Sequence, residues 1–383
     1  MSTGIDIVLL TILLVIALIV GIVIGGMLGS RRQRRLQAAH LEDRPGTPSE
    51  LARASGPEHQ AVEAAPARPR VAIVINPSKI GAEEFAKTAA AVCRQEGWDA
   101  PLMYDTEIED PGYAMASQAL AEEVDLVVAA GGDGTVRAVA EVLAGTGVPM
   151  GIVPMGTGNL LARNLKIVLD RPEWALRIAL WGKDEHIDVA RARIEPGGKD
   201  HAFMVMSGLG FDAAVMADTD EELKSRVGWL AYLEAGSRKL AGHRTRVQVS
   251  VDDEEPYMTK IRSVIGGNCG RLQGGVMLLP EAEYDDGILD VIIISPKNMA
   301  DWVGVAASIL GRHKRRGIHT NFHRCRRIVV EAEEPIEVQL DGDAVGASRY
   351  LEMWLDERAL VVRTATREQT RLIRLEGWPI PVP

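Results

Sequence analysis

The stretch that most restricts what this chain can fold into is "VVAAGGDGTVRAVAEVL", Val127 to Leu143. A short apolar run ends on Gly-Gly-Asp-Gly-Thr and passes at once into residues with a helical pattern. A second copy of the arrangement follows in "VPMGIVPMGTGNLLARNL", where Pro154 to Asn159 separates an apolar strand from a helix. Glycine permits positive φ and lets a ligand approach the backbone, and the free N–H groups that open a helix attract anions. Loops of this kind suit phosphate, although an ordinary tight turn would use the same residues. An aspartate facing phosphate would repel it, so Asp133 is expected to act through a metal ion or a ligand hydroxyl. Neither loop has the Gly-Lys-Ser/Thr of a Walker A motif, and neither opens with the G-x-G-x-x-G dinucleotide fingerprint.

The segments before these loops extend the pattern. "RVAIVINPSK" is a buried-type strand ending at Asn-Pro, Glu83 to Glu96 reads as helix, "WDAPLMY" as a strand, Pro111 to Glu122 as helix, and "VDLVVAA" as a third strand. Strands alternating with helices make a parallel sheet with covered faces, whose ligands gather at the carboxyl ends of the strands. Asn76, Thr106 and Gly131 all stand at such ends. The second half reads as strands, "RVQVSV", "IRSVIGG", "ILDVIIIS", "RIVVEA" and "PIEVQL", punctuated by turns. The expected class is α/β, with an N-terminal transmembrane helix, a Rossmann-like α/β nucleotide domain and a β-sandwich-like second domain.

Ile7 to Leu28 carries no charged residue, and as a helix rising about 1.5 Å per residue it would cross a hydrocarbon core of roughly 30 Å. The competing reading, a cleaved signal peptide, wants a basic start and a small-residue cleavage site. Arg31, Arg32, Arg34 and Arg35 follow directly, which by the positive-inside rule turns the bulk of the chain to the cytoplasm and sets the arginines at an anionic membrane surface. The expected localisation is therefore the membrane, single-pass. Gly21, Gly25 and Gly29 fit either a homodimer face or lipid packing. The expected domains are an anchor with its basic flank at 1–35, a flexible linker at 36–69, the nucleotide domain at 70–185, a β-rich second domain at 186–364 and a tail at 365–383.

Overall charge excludes some classes. A net charge of −10 argues against a general nucleic-acid binder. Cys93, Cys269 and Cys325 lie far apart and make neither a disulfide framework nor a zinc site. Two local features remain. "GRHKRRGIHTNFHRCRR", Gly311 to Arg327, is basic on an acidic chain and suits phosphate groups, those of lipid headgroups or of a nucleotide, with a solvated loop or nucleic-acid contact as the alternatives. The stretch Asp212 to Leu240, with Trp229, Leu230, Tyr232 and Leu233 together, suits either a lipid channel or a packed helix.

Taken in combination, Asn76-Pro77, Gly131-Gly132-Asp133-Gly134-Thr135, Pro154-Met155-Gly156-Thr157-Gly158-Asn159, "SGLGFDA", "LLPEAEYDDGILD" and "QLDGD" resemble the diacylglycerol kinase catalytic family, which includes bacterial lipid kinases and sphingosine kinases. The resemblance covers roughly Arg70 to Thr364. It implies ATP-dependent phosphorylation of a lipid hydroxyl in a cleft between an α/β domain and a β-rich domain, with ATP and Mg²⁺ as cofactors and diacylglycerol as the first acceptor to consider. It places ATP phosphates against Asn76 to Ile80, Pro77 and Ser78 included, and against the turn from Gly132 to Ala138, with Thr106 and Thr157 as further contacts. It assigns divalent-ion binding to Glu283, Asp286, the carbonyl of Ile288 and Asp188, and the base that takes the lipid proton to Asp343.

Two departures bear on that implication. Asp343 stands where the family usually carries a glutamate, and Asn159-Leu160 where many bacterial members have Asn-Asp. A sphingosine-like lipid kinase, a kinase of a soluble acceptor related to NAD kinases, and a non-catalytic binding protein stay open as alternatives.

Overall fold

The computed structural model describes residues 68–210, 244–272, 277–297, 301, 305 and 319–375. The expected span at 7–28, the arginine cluster, the glycine repeat, nearly all of the linker, the stretch 212–240 and residues 311–318 of the basic segment lie outside them.

Four parallel strands, β1 (Val71–Ile75), β2 (Leu102–Asp105), β3 (Leu126–Gly131) and β4 (Met150–Pro154), pair in the order β4-β3-β1-β2. The three inner strands are buried at every residue, which is why each reads as an unbroken apolar run. β2 lies at the edge and alternates, with Met103 and Asp105 exposed. Helices α1 (Ala82–Gln95), α2 (Tyr113–Ala121), α3 (Asp133–Leu143), α4 (Leu160–Asn164) and α5 (Pro172–Trp181) connect and cover them. α1 buries Phe85, Ala89, Val92 and Cys93, a single stripe at helical spacing. α5 begins on proline, whose fixed φ suits the first turn, and lies so close to β4 that a Cβ on Gly151 would fall 2.4 Å from that of Ala179.

The second half is antiparallel. β7 (Met206–Gly210), β10 (Ser263–Gly267), β11 (Leu289–Ile294), β12 (Thr320–Cys325), β13 (Arg327–Leu340) and β14 (Asp343–Thr364) run in the order β12-β11-β10-β7-β13-β14. β5 (Lys183–Arg193) and β6 (Asp200–Phe203) extend from β14, while β8 (Thr245–Val251) and β9 (Tyr257–Ile261) extend from β13. Leu209, Val264, Val291, Ile328, Val338, Leu351 and Met353 share the core of this half. The segments "RIVVEA" and "PIEVQL" join into the single strand β13. Pro335 falls inside the register shift between Glu331 and Ile336, where the pairing can dispense with an N–H.

Three features modify the expected layout. β14 is 22 residues long, and its far end pairs with β4 at Val362 and Met150, so the two halves share one sheet. The expected boundary at 185/186 lies inside β5, whose start pairs with Arg363 and Thr364 and whose end pairs with Glu352 and Met353. Within the expected tail, α6 (Arg367–Leu375) buries Ile373 against Val168 and Ile178 of the first half.

The membrane localisation expected from Ile7 to Leu28 is withdrawn. Among the described residues no helix is long and apolar enough to cross a membrane, and the expected span lies outside them.

Candidate active site

Registers across the parallel sheet align the ends of its strands. Ile75 pairs with Asp105 and Ala130, and Gly131 with Pro154, so Asn76, Thr106, Gly131 and Met155 leave the sheet along one edge. The N–H of Asn76 donates to Ala130 O at 2.9 Å, and the N–H of Thr106 to Ile75 O at 2.8 Å. The Asn76 side-chain oxygen accepts from the N–H of Ser78 at 3.0 Å and its hydroxyl at 2.6 Å, which folds the Asn-Pro-Ser turn back on itself. Ser78 and Asn76 are thus engaged with each other, Pro77 is exposed, and Thr106 is 6% exposed.

The two glycine loops are packed against one another. A Cβ on Gly156 would lie 2.7 Å from Gly132 Cα, and one on Gly158 would lie 2.5 Å from an Asp133 oxygen. Asp133 itself ties them together. Its Oδ2 accepts from the N–H of Asn159 at 2.8 Å and its Oδ1 from that of Leu160 at 2.6 Å. Burial pushes this carboxyl up to about 6; the two N–H groups oppose the shift, and the charges of Asp341 and Asp343 add to it. Asn159, at φ 48°, completes the clamp by exchanging two hydrogen bonds with the backbone of Gly156. Asp133 thus has a structural role in joining the two loops, with each of its oxygens accepting one backbone N–H.

What the loops leave over is the opening of α3. The N–H groups of Asp133, Gly134 and Thr135 begin that helix and have no partner among the described residues. Gly132, just before them, has room: a Cβ there would meet Gly156 Cα at 3.5 Å and Lys79 Cε at 3.7 Å. Thr135 points inward beneath Gly131, where a Cβ would fall 2.7 Å from its side chain, so it offers a ligand its N–H and not its hydroxyl. Thr157 is exposed on the second loop.

Two basic residues at this place carried no role of their own in the sequence. Lys79 lies over Gly132 with no ion-pair partner among the described residues; it falls inside Asn76 to Ile80, and only the folded turn shows where it leads. Arg137, one turn into α3, donates from Nη1 to Leu340 O at 2.6 Å and from Nη2 to Asp343 Oδ2 at 2.9 Å. No local signal could have paired positions 206 residues apart.

Asp343 opens β14 and stands against the first turn of α3, where a Cβ on Gly134 would lie 3.6 Å from its Oδ2. Asp341, two residues earlier, is buried at φ 49°, and its oxygens accept the N–H groups of Met204, Val205 and Met206 at 2.8, 2.8 and 3.0 Å. Burial raises its pKa, opposed by Arg137 and those three donors. It holds the turn, while Asp343 remains largely exposed beside the helix.

Of the positions implied for a metal ion, Asp188 meets the turn that carries Asp286 and Ile288. This carboxylate is fully buried and accepts the N–H of Gly287 at 2.8 Å and that of Arg358 at 2.6 Å, and burial raises its pKa. Asp286 Oδ1 accepts the N–H of Ile288 at 3.0 Å, and its Oδ2 is paired with Arg324. Glu283 is exposed. Among the described residues no group of three or more His, Cys, Asp or Glu side chains is placed to hold a metal ion. With Asp188 and Asp286 committed to backbone donors and a guanidinium, this donor set does not fit a protein-bound cation as arranged.

Residues 70–192 match the diacylglycerol kinase catalytic domain, and residues 205–353 match the YegS C-terminal NAD kinase beta sandwich-like domain. A Pseudomonas aeruginosa protein described as a probable YegS-like lipid kinase is 34% identical over 281 residues, covering 72% of this chain and 87% of its own. A Bacillus subtilis diacylglycerol kinase is 28% identical over 283 residues, covering 72% and 90%. A crystal structure of a diacylglycerol kinase from Bacillus anthracis superposes with a TM-score of 0.56 at 20% identity, covering 77% of this chain and 96% of that one.

Proposed function

We propose that this chain, which belongs to the YegS-like family of lipid kinases, moves the γ-phosphoryl group of ATP to the free hydroxyl of diacylglycerol, giving phosphatidic acid. One observation carries the reading: a carboxylate, Asp343, stands against a helix opening whose first N–H groups have no partner among the described residues. Phosphoryl transfer asks for a phosphate cradle, positive charge, and an acceptor for the attacking hydroxyl's proton, all within a few ångströms.

The cradle is the opening of α3, reached past Gly132. The ammonium of Lys79 adds positive charge above the same loop. Asn76, Ser78, Thr106 and Thr157 ring it and take the remainder of the nucleotide. Mg²⁺ enters as the companion of the ATP phosphates, and no step runs through a protein-bound metal. The acceptor oxygen approaches the γ-phosphorus with its proton directed at Asp343. An O–P bond forms as the bond from the γ-phosphorus to the bridging oxygen breaks. The electron pair leaves on ADP, and the proton passes to the Asp343 carboxylate.

Turnover with labelled ATP in mixed micelles tests this, with diacylglycerol, sphingosine and NAD⁺ offered separately as acceptors. Diacylglycerol should be phosphorylated, and Asp343→Asn should lower kcat by roughly 10²- to 10⁴-fold with little change in ATP affinity. Transfer to sphingosine or NAD⁺ alone would replace the acceptor. No transfer to any of them would end the kinase reading, and near-normal turnover by Asp343→Asn with chemistry rate-limiting would remove Asp343 as the base.

A further inference from the structure

We propose that Arg137 is a positioning residue of this site, fixing Asp343 for proton transfer; the proposal rests on the kinase reading above. The guanidinium is a planar fork, and here its two prongs serve different elements. One is anchored on the carbonyl of Leu340, the last residue of β13, and the other on the carboxylate of Asp343, the first residue of β14. The stem belongs to α3, the helix that opens on the phosphate cradle. Three elements from the two halves of the chain are thereby fixed at one point, within one helical turn of Gly134.

Exposure separates the roles of the two partners. The Arg137 side chain is 12% exposed and that of Asp343 is 58% exposed. An aspartate so open to solvent would sample several rotamers if nothing held it. Arg137 selects one of them, and it holds only Oδ2, which leaves Oδ1 for a substrate proton. Misplacement of a reacting group by about 1 Å can cost on the order of 10²-fold in rate.

The charges around Arg137 support the assignment. It is faced by Asp341 and Asp343, and by Tyr113, whose hydroxyl also reaches Glu141 at 3.2 Å. Burial works against its charge, but the two aspartates and Tyr113 outweigh this and raise its pKa, so it stays a cation. A triphosphate brought to the opening of α3 would place more negative charge beside Asp343. The hydrogen bond from Arg137 to Oδ2 holds the carboxylate in its place against that charge.

The test is a double-mutant cycle read as kcat against KM. Arg137→Met should lower kcat about 10²-fold while KM for ATP changes less than about twofold, since the cradle is left intact. Arg137→Lys, which keeps the charge without the fork, should recover only part of the loss, and added guanidinium ion should restore turnover to an Arg137→Ala variant. In an Asp343→Asn background, Arg137→Met should cost less than about threefold more, because the group it positions has already lost its function. Equal losses in both backgrounds, or a fall in kcat and rise in KM together without guanidinium rescue, would reduce Arg137 to part of the fold. Should Arg137→Met fail to fold, Arg137→Lys and the guanidinium series decide the matter alone. A wild-type protein that transfers phosphate to no acceptor ends the kinase reading, whereas an active wild type with additive losses ends only the role of Arg137.

Discussion

The glycine loops around Asp133 and the acidic turn around Asp188 look alike in sequence and end differently in the fold. Each sets carboxylates beside glycine next to a strand, Asp133 after β3 and Asp286 before β11, and each suggested ligand or metal chemistry. In both, a carboxylate accepts backbone N–H groups: those of Asn159 and Leu160 for Asp133, and of Gly287 and Arg358 for Asp188. The difference is what remains. Around Asp133 the opening of α3 is still unpartnered and faces Lys79 and Asp343. Around Asp188 the neighbouring acid, Asp286, has already found Arg324. A site is thus marked by what the fold leaves unsatisfied, and an acidic residue near glycine is an incomplete sign of it.

The sharpest way to break this comparison is to unseat the clamp. Gly156→Ala places a Cβ 2.7 Å from the backbone of Gly132 and 2.9 Å from Asn159 Oδ1, and neither can yield cheaply. It should destabilise the protein by about 1–3 kcal/mol and weaken ATP binding more than tenfold. Gly132→Ala meets only ordinary contact distances, so its stability should stay within about 0.5 kcal/mol of wild type. Any loss of ATP affinity there then reports on the approach of phosphate alone. Thermal denaturation and calorimetric titration of both variants check this, and equal destabilisation by the two would show that the loops do not press on each other as described.

The next effect falls on stability alone and depends on pH. Asp133→Asn keeps the shape but turns an NH₂ group toward one of the two backbone donors, costing about 1–3 kcal/mol. A carboxyl whose folded-state pKa is raised contributes stability that is complete below its unfolded value and lost as pH rises through the folded one. For Asp133 that window runs from about 4 to about 6. The penalty of Asp133→Asn should therefore be larger at pH 4.5 than at pH 7.5 in urea unfolding. Parallel curves would place the carboxyl's titration elsewhere.

Much of this was legible before any coordinates. The apolar runs of β1, β3 and β4 announced a covered parallel sheet, and Asn76, Thr106 and Gly131 announced the edge at which its strands end, because strand, loop and helix signals there are local. The second half was legible as strands but not as pairings. That β14 would return to β4 at Val362, or that β5 would bridge both halves, depends on registers no window of sequence contains. The same holds for Arg137. Its position within α3 was plain, but its meaning comes from Leu340 and Asp343, delivered by a turn at the far end of the chain. The backbone partners of Asp133 and Asp188 were illegible for a related reason: an N–H that a carboxylate accepts leaves no mark in the sequence.

The smallest expected effect tests the other half of the comparison, the turn around Asp188. Asp286→Asn keeps an acceptor for the N–H of Ile288 and removes the charge paired with Arg324. Arg324 is 41% exposed and also reaches Asp290, so the lost pair should cost less than about 1 kcal/mol. ATP affinity and turnover should stay within about twofold of wild type, since the turn supplies no group to the opening of α3. Mg²⁺ without nucleotide should move the melting temperature of the wild type and of Asp286→Asn equally little, because a ligand stabilises only the state that binds it. If Mg²⁺ alone raised the wild-type melting temperature by several degrees and Asp286→Asn erased the rise, Asp286 would be exchanging Arg324 for a cation. The two regions would then differ in affinity for their ligands and not in whether they have one.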